Sequence, residues 1–217
     1  MSKQYYEDVF SSQRMKKYFN RYPKNEGKAI NHYHLNIELS ESFYSCLSVF
    51  EVALRNSLNR ELTEKFGLNW YLKFKSIPGL KNLGGNINTA QRRIINRNES
   101  ITAGKVVAEL TLGFWVSLLN AEYELVLWKP LRKAFPFLEK RHRQRNNVSA
   151  PINKIRNFRN RVFHHEPISW NLNKLEEIHA MILEVMEWLN KDLPNVIEEH
   201  DHASKVIAKA RRVLSND

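Results

Sequence analysis

The chain has 217 residues, and 34 Lys plus Arg against 23 Asp plus Glu leave it a formal charge of +11. A hydrophobic fraction of 42% with 11% aromatics supplies a sizeable core and excludes wholesale disorder. The single cysteine, Cys46, excludes an intramolecular disulfide framework and every zinc site that needs two thiolates from one chain.

Apolar residues recur at helical spacing along most of the chain, and seven Gly and seven Pro are few for a protein rich in tight β-turns. Gln13–Tyr22 and Ala29–Leu39 read as helical segments separated by Pro23 and Gly27. Phe43, Leu47, Phe50, Leu54, Leu58 and Leu62 then mark one buried helical face, with Ser40 or Ser42 as candidate cap and Gly67 as candidate C′ glycine. Residues 68–86, with Pro78, Gly79, Gly84 and Gly85, predict a loop or crossover. Helical pattern resumes over Ile87–Asn98 and Thr102–Leu119, interrupted by Gly104 and Gly113, and a short helix is expected around Glu122–Phe135. Ser149 is a candidate cap for a helix with Pro151 in its first turn, ending near His164 ahead of Pro167. Leu172 to Leu189 and Val196 to Leu214 complete the set. The expectation is a single all-α helical bundle over 1–217, with a core at 13–190 and a C-terminal helical extension at 191–217.

The N-terminal residues lack the apolar core of a secretory signal, and no apolar stretch approaches the ~18–20 residues of a membrane span. The expected protein is soluble, cytoplasmic and without a membrane partner. Its excess positive charge predicts an anionic partner, with nucleic acid ahead of a lipid surface.

The least ordinary run is Arg156–Asn171, R-N-F-R-N-R-V-F-H-H-E-P-I-S-W-N, with three arginines, two adjacent histidines and a glutamate near a helix C-terminus. An imidazole exchanges protons near neutral pH and a guanidinium neutralises a phosphate through paired hydrogen bonds. Those are the parts needed to cleave RNA without a metal, by attack of a 2′-hydroxyl on the adjacent phosphorus. Asn160 and His164 are four apart and share a helical face, as do Arg161 and His165. Arg159 and His164 are five apart, about 140° around an ideal helix, so they meet on one ligand only if the helix end unwinds or a second chain contributes. The plainer alternative is that these cations complement the helix dipole and its free carbonyls.

The run Arg159–Asn171 resembles the motif of Abi-like proteins, a bacterial family associated with phage abortive infection within the HEPN superfamily. Asn36–Tyr44 (N-x-E-L-S-E-S-F-Y), Phe50–Asn56 (F-E-V-A-L-R-N), Phe66–Trp70 (F-G-x-x-W) and Glu109–Leu119 (E-L-T-L-G-F-W-V-S-L-L) resemble the family in the same order, so the likeness covers roughly residues 13–188. The resemblance implies a HEPN-type helical bundle with additional N- and C-terminal helices. It also implies a metal-independent endoribonuclease whose R-x(4–6)-H motifs pair in a homodimer to form one composite cleft. Arg159 matches the motif arginine, Asn160 its polar neighbour and His164 the motif histidine, with His165 a second candidate one residue further on. Some superfamily members bind without cutting, so a catalytically silent RNA- or protein-binding module is the other implied role. An antitoxin is a candidate further partner.

Around the motif, Lys140, Arg141, Arg143 and Arg145 form the densest positive stretch and are candidates to guide an RNA backbone, with Arg156 and Arg161 on the motif helix itself. Arg92, Arg93 and Arg97 could extend that surface. Arg55 and Asn56 are secondary RNA-binding candidates, although Glu51 and Arg55 also have the spacing of a helical ion pair. No metal site is expected: His32/His34 and His200/His202 point to different sides of a helix, and His164, His165 and Glu166 cannot all face one ion from regular backbone. No phosphate-binding loop, dinucleotide fingerprint or nucleophile elbow is present, so no cofactor is expected. Cys46 falls within the buried pattern and reads as a core thiol.

Overall fold

The helical periodicity is realised over most of the chain. A computed structural model describes residues 2–215 and contains helices and turns but no strand among them. In chain order the helices are α1 (Lys3–Phe10), α2 (Ser12–Arg21), α3 (Glu26–Ser42), α4 (Tyr44–Phe66), α5 (Trp70–Phe74), α6 (Gly84–Asn96), α7 (Ala103–Glu109), α8 (Leu112–Ser117), α9 (Lys129–Leu131), α10 (Arg145–Phe163), α11 (Leu172–Leu189) and α12 (Ala203–Ser215). None is long and apolar enough to cross a membrane.

The long periodic helices fall where the sequence predicts them. α11 spans the expected residues, and α4 ends at Gly67, whose φ of +88° and N–H bond to the Thr63 carbonyl make it the C′ residue. A Cβ there would meet nothing closer than Lys73 Nζ at 3.9 Å, so the glycine serves backbone conformation rather than space. Gly67→Ala should therefore cost about 1 kcal/mol in urea unfolding, the left-handed penalty of an L residue, with no steric addition.

Several boundaries differ from expectation for identifiable reasons. Ser40 and Ser42 do not cap α4. α3 runs on to Ser42, and both hydroxyls turn back to carbonyls of their own helix, Ser40 to Asn36 and Ser42 to Leu39. Residues 68–86 are not a plain loop, because Trp70–Phe74 form α5 and Gly84 and Gly85 open α6. The break between α7 and α8 comes at Leu110 and at Thr111, the N-cap of α8, rather than at a glycine. Over 121–134 the expected single helix is a chain of short turns, with a π-helical segment at Glu124–Trp128 and Pro130 just after it. Ser149 does not cap α10, which begins earlier, at Arg145. Ser149 is buried inside the helix, and its Oγ accepts from Arg145 Nη1. At the other end, the last helix begins at Ala203, after a 3₁₀ turn at Pro194–Ile197.

The chain divides into two compact units, and the division falls within α4, α10 and α11. The first unit comprises residues 1–45, 159–180 and 200–217. Its core is aromatic: Tyr6, Met15, Tyr18, Phe19, Ala29 and Tyr33 from α1, α2 and α3 bury together, with Tyr22 and Ile30 against them. α12 lies against α3 through a Lys209–Glu38 ion pair and is tied to α11 by Arg211 to Glu176. Buried His179 Nε2 meets Asp201 Oδ2 at 2.6 Å, and the same carboxylate accepts from Ala203 N–H at the start of α12.

The second unit comprises residues 46–158 and 181–199. Its centre is a knot of fully buried rings, in which Trp70 stacks on Phe114 at 6.1 Å and meets Phe74 at 4.9 Å and Trp115 at 5.8 Å. Both indole N–H groups are satisfied, Trp70 by Asn59 Oδ1 and Trp115 by the Leu110 carbonyl. Cys46 is buried beside the same apolar face of α4.

Candidate functional site

The motif run begins on the last turn of α10, in the first unit. Helical hydrogen bonding continues through His164, whose N–H donates to the Asn160 carbonyl at 2.8 Å. His165 N–H then turns back to Val162 and Glu166 N–H to Arg161, the paired bonds of a Schellman cap. The C′ position of such a cap is normally glycine, yet here it is His165, at φ +56°. An L residue held in that region stores about 1–2 kcal/mol, and strain of this kind is retained where the surrounding structure enforces it. His165→Gly should thus raise the unfolding free energy by a net ~0.5–1 kcal/mol, after subtracting the extra chain entropy of glycine.

The enforcing contacts come from distant sequence. Arg14 Nη1 of α2 donates to the His165 carbonyl at 2.6 Å. Buried Asn36 of α3 accepts through Oδ1 from two backbone N–H groups, Ile168 at 2.7 Å and Ser169 at 3.1 Å. Trp170 lies against His32 at 4.5 Å and Tyr18 at 5.4 Å, and burial pushes the Tyr18 phenol well above its ordinary range, keeping it neutral. Asn171 Oδ1 caps α11 by accepting from Lys174 N–H. Much of the P-I-S-W-N portion of the run is therefore an anchor, which fixes the turn carrying the histidines.

The candidate catalytic side chains lie on this anchored turn and the helical turn before it. Asn160, His164 and His165 are exposed, and Arg159 is half-buried with its guanidinium carbon 4.1 Å above the Phe163 ring. A guanidinium stacked in this way still donates hydrogen bonds in its own plane. Arg161 is engaged internally: its Nε pairs with Glu166 at 3.3 Å and an Nη donates to the Pro167 carbonyl. His165 leaves the face of Arg161 because the chain changes hand between them. Arg159 and His164 stay on regular helix, so the unwinding that would bring them together within one chain does not occur before His164.

The remaining candidates belong to the second unit. Lys140 and Arg141 are exposed on a 3₁₀ turn, where Arg141 pairs with Glu139 at 2.7 Å. Arg143 and Arg145 face inward. Arg143 donates to the carbonyls of Leu138 and Pro136, and Arg145 pairs with Glu124 at 2.8 Å while donating to the Leu119 carbonyl. Arg156 donates to Asn157 and Arg55 to Asn56. Arg93 and Arg97 converge on Glu109, and Arg97 and Lys105 on Glu99, whose carboxyl is held below its usual range chiefly by the Arg97 hydrogen bond. In the second unit a cavity of about 220 Å³ opens beside Arg93, Glu109 and Phe114, and none of the residues singled out for catalysis in sequence lines it.

Tyr44, Arg14 and Asn36 were not singled out from sequence for the site. Asn36 and Tyr44 lie in the N-x-E-L-S-E-S-F-Y segment, but nothing in that segment reveals what each touches. Among the described residues, no group of three or more His, Cys, Asp and Glu is placed to hold a metal ion. No protein-family model, curated protein or solved structure matches the chain.

Proposed function

We propose that the chain is an Abi-like, HEPN-type endoribonuclease that acts without a metal in the cytoplasm, in phage defence by abortive infection or as a toxin. The observation that carries this reading is the Arg159–Asn160–His164 set at an exposed, anchored helix end, where regular helix separates Arg159 from His164. That separation favours a homodimer in which two copies of the motif face one RNA strand.

In the proposed reaction, the 2′-hydroxyl attacks the adjacent phosphorus as the bond to the 5′-oxygen breaks. One Arg159–His164 pair carries the step: His164 serves as general base at the 2′-hydroxyl or as general acid at the leaving 5′-oxygen, and water exchanges the other proton. Arg159 offsets the charge that builds on the non-bridging oxygens, and Asn160 orients an imidazole or a phosphate oxygen. The products are a 2′,3′-cyclic phosphate and a 5′-hydroxyl. Lys140 and Arg141 supply long-range attraction for the backbone, which makes association salt-sensitive.

The test is incubation of purified protein with mixed RNA in EDTA, followed by analysis of the product ends. Cutting that resists EDTA, leaves cyclic phosphate and depends on His164 is the expected result. Binding without cutting overturns the enzyme in favour of the silent binding module.

A further inference from the structure

Beside the motif, within the first unit, two large aromatic side chains face solvent together. Phe163, the last residue of α10, is 39% exposed, and Tyr44, the first residue of α4, is 61% exposed. Their ring centroids lie 6.4 Å apart with planes inclined by 32°, and the Arg159 guanidinium covers Phe163 from 4.1 Å. Leaving this much aromatic surface in water forgoes burial that the fold achieves elsewhere in its aromatic cores. Arg14 and Arg159 give the surroundings a positive charge, Arg161 being paired with Glu166, and this suits a polyanion better than a neutral apolar partner.

A flat group that follows a phosphate chain and offers a π-face is an unpaired nucleobase. Resting on the endoribonuclease reading, we propose that Tyr44 and Phe163 form a stacking subsite for the base next to the phosphate held by Arg159. Duplex RNA keeps its bases stacked on one another and cannot place one on this surface, so the subsite selects single-stranded substrate. Stacking reads a π-face and not a base edge, so little preference among the four bases is expected.

The test measures binding apart from cleavage. Fluorescence anisotropy would follow a short labelled 2′-O-methyl RNA, which lacks the attacking hydroxyl, as a single strand and as a duplex. Tyr44→Ala should weaken single-strand binding about tenfold and leave duplex binding unchanged, whereas Tyr44→Phe should retain it. Circular dichroism of each variant confirms folding. Equal affinity of wild type and Tyr44→Ala for the single strand would overturn the subsite, as would an equal loss for single strand and duplex. A change in the monomer–dimer equilibrium of Tyr44→Ala with RNA affinity unchanged would also overturn it, assigning the surface to a second copy of the chain. Tyr44-dependent binding by a protein that never cuts natural RNA leaves the subsite standing and removes only the nuclease. Cutting with full affinity in Tyr44→Ala does the reverse.

Discussion

RNA cleavage by Arg159→Ala and by His164→Ala homodimers should fall about 10²–10⁴-fold, equivalent to roughly 3–5.5 kcal/mol of transition-state stabilisation. Mixing the two inactive proteins should then restore cutting. An exchanged heterodimer carries Arg159 on one protomer and His164 on the other, so one of its two between-chain pairs is intact. With half of the dimers mixed, recovery should reach about a quarter of the wild-type rate. If the reacting pair lay within one chain, no mixed dimer would contain it and the mixture would stay inactive. Regular helix through His164 makes the first outcome the expected one, because the two side chains leave α10 in different directions. Subunit exchange must be verified by native mass spectrometry, so that an inactive mixture counts against the composite site.

Asn36→Leu should destabilise the first unit by about 2–6 kcal/mol. One side-chain oxygen satisfies two buried backbone N–H groups, and leucine would strand both at about 1–3 kcal/mol each. Leucine has a similar size, so cavity formation contributes little. Urea unfolding measures the loss, and hydrogen exchange at the Ile168 and Ser169 amides shows whether the turn opens before the rest. Asn36→Asp keeps an acceptor and should lose less. A change below about 1 kcal/mol in the leucine variant would mean that water replaces the amide at this position.

The parts of this fold legible in sequence were those whose local pattern and tertiary environment agree. α4 and α11 carry long apolar faces, and the structure reproduces both closely, although the serines expected to cap α4 belong to α3. Ser149 followed by Pro151 has the chemistry of a helix start, but Arg145 reaches the Ser149 hydroxyl from one turn earlier and the helix extends backwards. Pro130 shows that the helical pattern over 122–135 is interrupted, without showing that the chain responds with a π-turn. At the site, the order of Arg, Asn and His is plain in the sequence, whereas the support is not. A left-handed histidine has no marker when glycine is absent, and the contacts of Arg14 and Asn36 join residues far apart in the chain. Charge counting treats every arginine alike, yet Arg143 and Arg145 serve internal carbonyls while Lys140 and Arg141 face water.

The clamp on the motif turn also sets the order in which the site can assemble. Its hydrogen bonds span 132, 133 and 151 residues of chain. Contacts of such separation carry the loop-closure cost that makes long-range structure form late in folding. During synthesis, α2 and α3 emerge early and wait with Arg14 and Asn36 for a segment that leaves the ribosome far behind them. Until that segment docks, the histidines ride on an untethered helix end, so a nascent or partly folded chain presents the motif residues without their geometry.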